Sequence, residues 1–422
     1  MNISRALVKG ALRRVQGGRI DVVENGTRES FGRADAELKA TIEIHDSAAW
    51  RSFMGGSHRL AETFMAHAWD CDDLVSLVRI GARDLPRLDR MRRALLPVRR
   101  LIDRVPRNTI RASRRHIAGH YDLGNDLFAA FLDETMTYSC AAFDTPEVGL
   151  REAQEAKLER VCRKLELTPE DHLLEIGTGW GSLAIHAAKH FGCRVTTTTI
   201  SRRQHDLATV RVADAGVSDR VEILFEDYRH LSGIYSKLAS IEMIEAVGWQ
   251  YFDLFFRRCS ELLEPDGLML LQAITIEDDR YDLEKATRSF INTYVFPAGC
   301  LPSLHVIRDC MSRTGLAELD LEDLSASYPL TLRAWRERFL AVREDVRAKG
   351  YDERFVRLWE LYLSWCEGGF REGRIQDYQV LARRQPASTT DRMLPDGSVN
   401  QAMSGPGPRK TPSSSASTSV PS

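Results

Sequence analysis

The feature that most restricts the fold of this chain is a glycine-rich turn between a predicted strand and a predicted helix. The strand spans His172–Ile176, the turn reads Glu175-Ile-Gly-Thr-Gly-Trp-Gly181, and the helix spans Leu183–His190. Glycine at every second position of the turn allows a tight bend and a close approach of the backbone to a ligand. This strand–turn–helix unit predicts a parallel sheet that is covered by helices and binds a ligand at the turn.

Predicted strands and helices continue to alternate after this turn. Strands are predicted at Cys193–Thr199, Val221–Phe225, Leu238–Ile241 and Leu268–Ile274, the last after the turn Glu264-Pro-Asp-Gly267, and a helix is predicted at Gln204–Ala213. This alternation is typical of an α/β fold with a mostly parallel sheet. We expect the α/β domain to span residues 116–385.

The chemistry of the turn favours S-adenosylmethionine over a dinucleotide. Dinucleotide-binding turns prefer the spacing GxGxxG, whereas Gly177, Gly179 and Gly181 follow the spacing GxGxG. Glu175 stands just before the loop, where its charge would repel a pyrophosphate but attract a cationic amino-acid group. The turn is therefore predicted to bind S-adenosylmethionine as the cofactor.

The second strand of the unit lacks the acid that usually binds the ribose hydroxyls. The sequence there reads Val195-Thr-Thr-Thr-Thr-Ile-Ser201. We expect Thr199, Ser201 and Gln204 to supply the polar contacts, or Gln204 alone to reach the ribose. The alternative is an ordinary threonine-rich strand with high β propensity.

Composition excludes several classes of protein. The 422 residues carry 58 basic and 60 acidic side chains, a formal charge of −2, which argues against a protein that is basic overall for binding nucleic acid. Eight cysteines without a CxxC pair indicate neither a metal site nor a disulfide framework. The sequence has no secretory signal and no apolar run near the ~20 residues of a membrane span, so we expect a cytoplasmic enzyme.

Residues 1–82 are predicted to form a small α+β domain. Asn25-Gly26 is a strong hairpin signal between the strands Arg19–Glu24 and Thr27–Phe31, because both turn positions tolerate positive φ. A third strand is predicted at Leu38–His45, and helical spacing follows at Leu60–Met65 and Leu74–Ile80.

A basic linker and a polar tail flank the α/β domain. Residues 83–115 hold twelve Arg and three Asp, a formal charge of +9, and Pro86, Pro97 and Pro106 should limit any long helix there. This segment suits phospholipid headgroups over an apolar layer, or it is a solvated linker whose arginines pair with acids elsewhere. Residues 386–422 are rich in Ser, Pro, Gly and Thr and are expected to be a disordered tail.

Several motifs together resemble the cyclopropane-fatty-acyl-phospholipid synthases. The motifs are His120–Phe128, Met136–Cys140, Glu175–Gly181, Thr199–Gln204, Asp227–Arg229, Ile241–Gly248 and Cys366–Phe370. They run in order through residues 116–385, and the N-terminal domain is similar more weakly through Ala61-Glu62 and Trp69-Asp70. The resemblance implies a Rossmann-like class I methyltransferase fold with a mostly parallel seven-stranded sheet.

The resemblance also implies the reaction. A methyl group passes from S-adenosylmethionine to the cis double bond of an unsaturated phospholipid acyl chain, and the carbocation loses a proton as it closes to a cyclopropane. The expected base is a bound bicarbonate ion, held here by the Cys140 backbone, Glu245, the Ile274 backbone and Tyr328. The implied location is the inner face of the cytoplasmic membrane, as a peripheral protein and a possible homodimer.

One position departs from the family pattern. Gln272 stands where the family commonly has His, and an amide can donate a hydrogen bond to an anion but cannot relay a proton. A related fatty-acyl methyltransferase that leaves a methyl or methylene branch is therefore the alternative, ahead of an N- or O-methyltransferase for a soluble acceptor and an inactive lipid-binding protein. Cys366 matches the family's active-site thiol, although methyl transfer to an alkene needs no sulfur nucleophile.

The resemblance and the turn together give a set of expected cofactor-binding residues. They are Tyr138, Ser139, Glu175, Gly177, Gly179, Gly181, Thr199, Ile200, Ser201, Gln204, Tyr228 and Arg229.

Overall fold

The computed structural model describes residues 3–94 and 124–386 and contains two β-sheets. The first sheet comprises β1 (Arg19–Glu24), β2 (Thr27–Gly32), β3 (Lys39–Ile44) and β4 (Trp69–Cys71), in the order β2-β1-β3-β4. The helices around it are α1 (Ile3–Leu12), α2 (Ala48–Ser52), α3 (Ser57–Met65) and α4 (Leu74–Ala94). The predicted hairpin forms as β1 and β2, with Asn25 and Gly26 both at positive φ.

The second sheet has seven strands in the order β10-β11-β9-β8-β5-β6-β7. They are β5 (His172–Ile176), β6 (Arg194–Thr199), β7 (Val221–Phe225), β8 (Tyr235–Ile241), β9 (Leu263–Ile276), β10 (Leu316–Asp323) and β11 (Ile375–Arg384). Only β11 runs antiparallel to its neighbours. The predicted α/β class with a mostly parallel seven-stranded sheet is therefore confirmed.

Ten helices described in this part of the chain surround the second sheet. They are α5 (Asn125–Phe131), α6 (Leu150–Lys164), α7 (Ser182–Phe191), α8 (Arg202–Asp214), α9 (Phe252–Leu262), α10 (Tyr281–Lys285), α11 (Leu304–Arg313), α12 (Tyr328–Ala341), α13 (Arg343–Ala348) and α14 (Glu353–Arg371). None of the helices within the described ranges combines the length and the apolar character that crossing a bilayer requires.

Two local predictions need correction. Strand β9 begins at Leu263, and the predicted turn Glu264–Gly267 is an irregularity within it, with Asp266 at φ +64°. Helix α4 continues through Pro86 to Ala94, so the expectation that this proline limits a long helix is wrong. A proline removes one backbone hydrogen bond and costs about 3 kcal/mol in a helix interior, which tertiary packing can offset.

Gly368 allows α4 to pack closely against α14. A Cβ added at Gly368 would lie 2.7 Å from Cγ1 of Val78 and 3.3 Å from the carbonyl oxygen of Val75. Helix α4 follows the first sheet and α14 precedes β11 of the second, so this contact joins the N-terminal region to the α/β region. The glycine pair in the motif Cys366–Phe370 therefore has a packing role.

The N-terminal region and the α/β region share one continuous core. The buried guanidinium of Arg357 on α14 donates to the carbonyl oxygens of Phe64 (2.6 Å) and Trp69 (3.0 Å) and to Asp70 Oδ1 (2.6 Å). Tyr294 donates its hydroxyl to Glu62 Oε1 at 2.6 Å. The expected domain limits stay predictions, and most of the linker 83–115 and the tail from 387 onward lie outside the described residues.

Candidate active site

The glycine turn forms the floor of a cleft at the carboxyl end of β5. Gly177 has φ +109°, and a Cβ there would lie 3.3 Å from the side chain of Met243. A Cβ at Gly179 (φ +52°) would meet no atom of the described residues within 4 Å, so this part of the turn borders open space. The backbone at Gly179 can therefore approach a ligand closely, whereas the absence of a side chain at Gly177 makes room for Met243.

Glu175 lies buried at the end of β5, beside this turn. Its Oε2 accepts a hydrogen bond of 2.6 Å from Thr197 Oγ1, which also lies 2.8 Å from Thr178 Oγ1. Burial raises the pKa of Glu175 to about 8. A buried carboxyl group of this kind binds a cationic group favourably, because the incoming charge stabilises its ionised form.

Most of the expected cofactor-binding residues line the same cleft. The lining includes Tyr138, Ser139, Glu175, Gly177, Gly179, Thr199, Ile200, Gln204, Tyr228 and Arg229. Gly181 and Ser201 lie just behind it: Gly181 begins α7 at φ +86°, and Ser201 caps α8 by accepting from the backbone N–H of Gln204. Ser201 thus orders the helix rather than facing the ligand.

Thr199 and Gln204 form the polar side of the cleft. Oγ1 of Thr199 lies 2.8 Å from Oε1 of Gln204, which fixes the amide and leaves its nitrogen as a donor. The guanidinium of Arg229, which also lines the cleft, donates two hydrogen bonds to Asp227, at 2.8 and 2.6 Å. The hydroxyl of Tyr228 is buried and has no hydrogen-bond partner among the described residues, so a bound ligand could satisfy it.

Helix α6 supplies a buried cation that the sequence analysis missed. Lys157 is 1% exposed, and its Nζ donates to Ser139 Oγ at 2.8 Å. Gln154, one turn earlier, donates to the carbonyl oxygen of Ser139 at 2.8 Å. Burial lowers the pKa of Lys157, while the charge of Glu242 raises it. These contacts hold the Met136–Cys140 segment against the cleft.

A second carboxylate, Glu242, also borders the cofactor cleft. Its Oε1 accepts from the backbone N–H of Cys140 (2.7 Å) and from Nε2 of Gln272 (2.9 Å), and its Oε2 accepts from the hydroxyl of Tyr328 (2.5 Å). We call these four residues the carboxylate cluster. Two of them, Cys140 and Tyr328, were expected to hold a bicarbonate ion, and here they bond to the side chain of Glu242.

Glu245 and Ile274 form a separate pair next to this cluster. The backbone N–H of Ile274 donates to Glu245 Oε1 at 2.6 Å, and Glu245 Oε2 is buried without a hydrogen-bond partner in the described part of the chain. Burial and the neighbouring charge of Glu242 raise the pKa of Glu245 to about 8. The expected bicarbonate ligands are therefore divided between two carboxylates: Ile274 bonds to Glu245, whereas Cys140 and Tyr328 bond, together with Gln272, to Glu242.

Two residues on β11 fix the orientation of Gln272. Gln379 donates from Nε2 to the amide oxygen of Gln272 at 3.1 Å, which turns the amide nitrogen toward Glu242 and toward Asp377 Oδ2 at 3.0 Å. All three β-strand side chains are fully buried. Burial and the charge of Glu242 raise the pKa of Asp377 well above its ordinary value. Glu242 accepts three hydrogen bonds, whereas the carboxyl group of Asp377 accepts one. The ionised form is therefore better stabilised at Glu242 than at Asp377.

The pKa of Glu242 is raised by its burial and lowered, to a smaller extent, by the hydrogen bond from Tyr328. Its backbone has φ +48°, a left-handed conformation that costs a non-glycine residue about 1–2 kcal/mol. Such strain is concentrated at functional sites. An ionised carboxylate that is held by three donors and has an elevated pKa has the properties of a general base.

The two cysteines named from the sequence have different positions. Cys140 contributes its backbone N–H to the carboxylate cluster, and its buried thiol has a pKa raised well above the ordinary value. Cys366 lies on α14 against the aromatic core, and burial raises its pKa to about 12. A thiol that stays protonated is a poor nucleophile, which agrees with a structural role for Cys366.

One feature of the sequence indicates that Glu242 lies in the site. Glu242 directly follows β8, and ligands in open α/β sheets bind beyond the carboxyl ends of the strands. Asp377 and Gln379 had no such signal, because they lie inside β11 and reach the site only through the pairing of β11 with β9.

Comparison with known proteins agrees with this geometry. A family described as mycolic acid cyclopropane synthetase matches residues 108–380. The chain is 41% identical over 380 residues to the tuberculostearic acid methyltransferase UfaA1 of Mycobacterium tuberculosis, covering 86% of this chain and 88% of that protein. It is 38% identical over 343 residues to the cyclopropane-fatty-acyl-phospholipid synthase of Escherichia coli, covering 79% and 85%.

A solved structure shares the fold and contains a cofactor product. The crystal structure of mycolic acid cyclopropane synthase CmaA1 complexed with SAH and CTAB is 31% identical, with a TM-score of 0.60 over 64% of this chain and 98% of that one. The cleft with its buried Glu175 and its open glycine turn fits the same kind of cofactor. This chain belongs to the cyclopropane-fatty-acyl-phospholipid synthase family of lipid-modifying, S-adenosylmethionine-dependent methyltransferases.

Proposed function

We propose that this enzyme transfers a methyl group from S-adenosylmethionine to the cis double bond of an unsaturated phospholipid acyl chain, and that Glu242 removes the proton that the resulting carbocation must lose. The observation that carries the proposal is the carboxylate of Glu242, held by Cys140, Gln272 and Tyr328 beside the cofactor cleft. Electrophilic methylation of an alkene needs one base of this kind, placed where water is excluded.

The residues of the cleft have distinct tasks in this proposal. S-adenosylmethionine supplies the electrophilic methyl group. Glu175 binds the cationic amino group, and the main chain of the glycine turn contacts the cofactor. The ring centroid of Tyr138 lies 5.2 Å from the ring centroids of Phe128 and Trp335. These rings form an aromatic wall that can stabilise a developing cation.

In this proposal Glu242 replaces the bicarbonate ion that the family resemblance supplies. The carboxylate uses the backbone N–H of Cys140 and the hydroxyl of Tyr328, two of the groups expected to bind the ion. A second anion in contact with Glu242 would be repelled, and at a separation of 4 Å the repulsion is about 4 kcal/mol near a protein surface. The chain therefore provides its own base.

If the carbocation loses one proton and no other reactant takes part, this enzyme can form two products. Loss of a proton from the transferred methyl group closes a cyclopropane directly, or gives a methylene branch if a hydride first shifts along the chain. A saturated methyl branch needs an additional hydride donor. Gln272 in place of the family histidine and the similarity to a tuberculostearic acid methyltransferase favour the methylene branch as the second candidate.

Vesicles of unsaturated phospholipid with methyl-labelled S-adenosylmethionine test this proposal. We expect label in the acyl chains, with a mass gain of one CH2 group. Mild catalytic hydrogenation then separates the products, because a methylene branch takes up hydrogen and a cyclopropane resists it. Label that appears in a soluble amine or alcohol and not in lipid would contradict the proposal.

The membrane location belongs to the same proposal. An enzyme that acts on acyl chains of a bilayer must bind the membrane surface, and we propose a peripheral association with the cytoplasmic face. The possible homodimer is likewise a proposal, which light scattering of the purified protein would test.

A further inference from the structure

The two charged side chains of helix α1 pair with acids of the first sheet. Arg5 pairs with Glu24 at 2.6 Å, and Lys9 pairs with Glu29. Both cations also lie over the ring of Trp50, at 5.9 and 5.6 Å from its centroid. Val8, on the same side of the helix, is buried. The inner face of α1 is therefore held by ion pairs, by cation–π contacts and by Val8 and Leu12, which pack in the core.

The apolar stripe of α1 faces away from the protein. Ile3, Ala6, Leu7 and Ala11 follow the spacing of one helix face, and all four are exposed. The exposed fractions of Ile3 and Leu7 are 76% and 58%. A Cβ added at Gly10, on the same face, would meet no atom within 4 Å. We call Ile3, Ala6, Leu7 and Ala11 the α1 stripe.

This arrangement differs from that of an ordinary surface helix, because α1 has apolar side chains on its exposed face as well as on its inner face. A surface helix buries its apolar stripe and exposes its charges, because the hydrophobic effect favours removal of apolar surface from water. In α1 Arg5 and Lys9 are paired with acids of the first sheet. Two large aliphatic side chains, Ile3 and Leu7, are exposed. An exposed apolar surface of this kind marks a binding site for another apolar surface.

We propose that the α1 stripe inserts into the lipid bilayer that contains the substrate, an inference that rests on the proposed function. The charge at the end of the stripe favours a lipid partner. Arg13 and Arg14 follow the stripe and are exposed, so they are available to anionic headgroups. Two acids of β1 and β2, Glu24 and Glu29, are paired with Arg5 and Lys9.

Helix geometry supports an orientation parallel to the membrane plane. Arg13 and Arg14 lie in the turn that directly follows Leu12, the last residue of α1. An amphipathic helix with Leu or Ile on one side and Arg at its margin lies in the interface between headgroups and acyl chains. This places a membrane contact in the N-terminal region, separate from the basic linker 83–115.

Sedimentation with vesicles of phosphatidylglycerol and phosphatidylethanolamine, using the full chain, tests the proposal. The variant carries Ile3→Glu and Leu7→Glu. The matched control carries Val210→Glu and Ile234→Glu, which have exposed fractions of 54% and 55% elsewhere on the protein. We expect the partition coefficient to fall at least tenfold for the α1 variant and less than twofold for the control.

Two further measurements keep the outcome interpretable. Thermal unfolding should be unchanged in the α1 variant, and if it is not, Ile3→Ser with Leu7→Ser replaces it. Arg13→Gln with Arg14→Gln should weaken vesicle binding mainly at low salt, since salt screens exposed charges.

The possible results separate this proposal from the proposed function. Retained turnover on detergent-dispersed phospholipid with lost vesicle binding supports the α1 contact. Unchanged vesicle binding overturns it, and so does a dimer in the wild type that the α1 variant dissociates without any change in vesicle binding. Absence of methylated lipid from the wild type, with vesicle binding that depends on α1, would contradict the proposed function alone.

Discussion

The cofactor cleft and the carboxylate cluster lie side by side but are built in different ways. The floor of the cleft is one continuous stretch, Glu175–Gly181, at the end of a single strand, and residues from other parts of the sheet line its walls. The cluster brings together Cys140, Glu242, Gln272 and Tyr328, which come from four separate parts of the chain. The floor of the cleft is a local structure, whereas the cluster exists only when β8, β9 and α12 are assembled around Cys140.

This difference separates binding from chemistry. A change in the cleft should alter cofactor affinity and leave the base intact, whereas a change in the cluster should alter turnover and leave cofactor affinity intact. The predictions below test that separation, beginning with the largest expected effect.

Glu242→Gln should remove most of the turnover. General base catalysis contributes about 10²–10⁴-fold to a rate, and the amide cannot accept a proton. The Kd of S-adenosylmethionine, from calorimetry, should change little. Glu245→Gln is the matched variant, and it should reduce kcat by no more than about tenfold, because its Oε1 can still accept from Ile274. A larger loss in the Glu245 variant than in the Glu242 variant would reverse the two assignments.

Tyr328→Phe should lower kcat by roughly 10–100-fold, since a hydrogen bond to a charged group contributes about 1.5–3 kcal/mol. The hydroxyl of Tyr328 lowers the pKa of Glu242, so its loss should move the acid limb of the pH–rate profile to higher pH. Turnover falls as the pH drops through the raised pKa of Glu242, because only the carboxylate accepts a proton. Tyr235→Phe, whose hydroxyl donates to Ser232, is the control and should keep both rate and profile.

Glu175→Gln should weaken cofactor binding by about tenfold or more, the effect of a lost charge-assisted hydrogen bond. In the wild type the pKa of Glu175 is raised to about 8, so the free enzyme carries a protonated Glu175 at pH 7. Binding of a cationic amino group favours the ionised form, and affinity should therefore rise as the pH increases toward 8, with release of a proton. Calorimetry in buffers of different ionisation enthalpy measures that proton. A pH-dependent affinity that persists in the variant would show that another group is responsible.

Ser201→Ala should have the smallest effect on the site. Ser201 caps α8, and loss of such a cap costs about 1 kcal/mol of stability. We expect a small decrease in the melting temperature with cofactor affinity nearly unchanged. A large loss of affinity would show that Ser201 contacts the cofactor directly, as the sequence suggested.

The sequence predicted the structural elements that depend on neighbouring residues, and only some of the elements that depend on residues far apart in the chain. The hairpin at Asn25-Gly26, the strands β5 and β7 and the glycine turn depend on neighbouring residues, so their patterns are readable one segment at a time. Strand β11 was not located, although it joins Asp377 and Gln379 to the site. Its position is decided by pairing with β9, which lies about a hundred residues earlier in the chain and leaves no local pattern.

The choice between Glu242 and Glu245 illustrates the same limit. Both acids lie in one short apolar stretch, and periodicity gives them equal weight. Only the fold shows that Tyr328, Gln272 and the Cys140 backbone converge on Glu242, while Glu245 meets Ile274.

The most direct test of a built-in base is a bicarbonate titration of the wild type and of Glu242→Gly. Glycine accepts the positive φ of this position and leaves space for a small anion among the three donors. We predict that the wild type keeps full turnover in bicarbonate-depleted buffer, and that Glu242→Gly is inactive there and gains activity as bicarbonate is added, up to saturation. A wild-type enzyme that requires bicarbonate, or a Glu242→Gly variant that is active without it, would contradict the account.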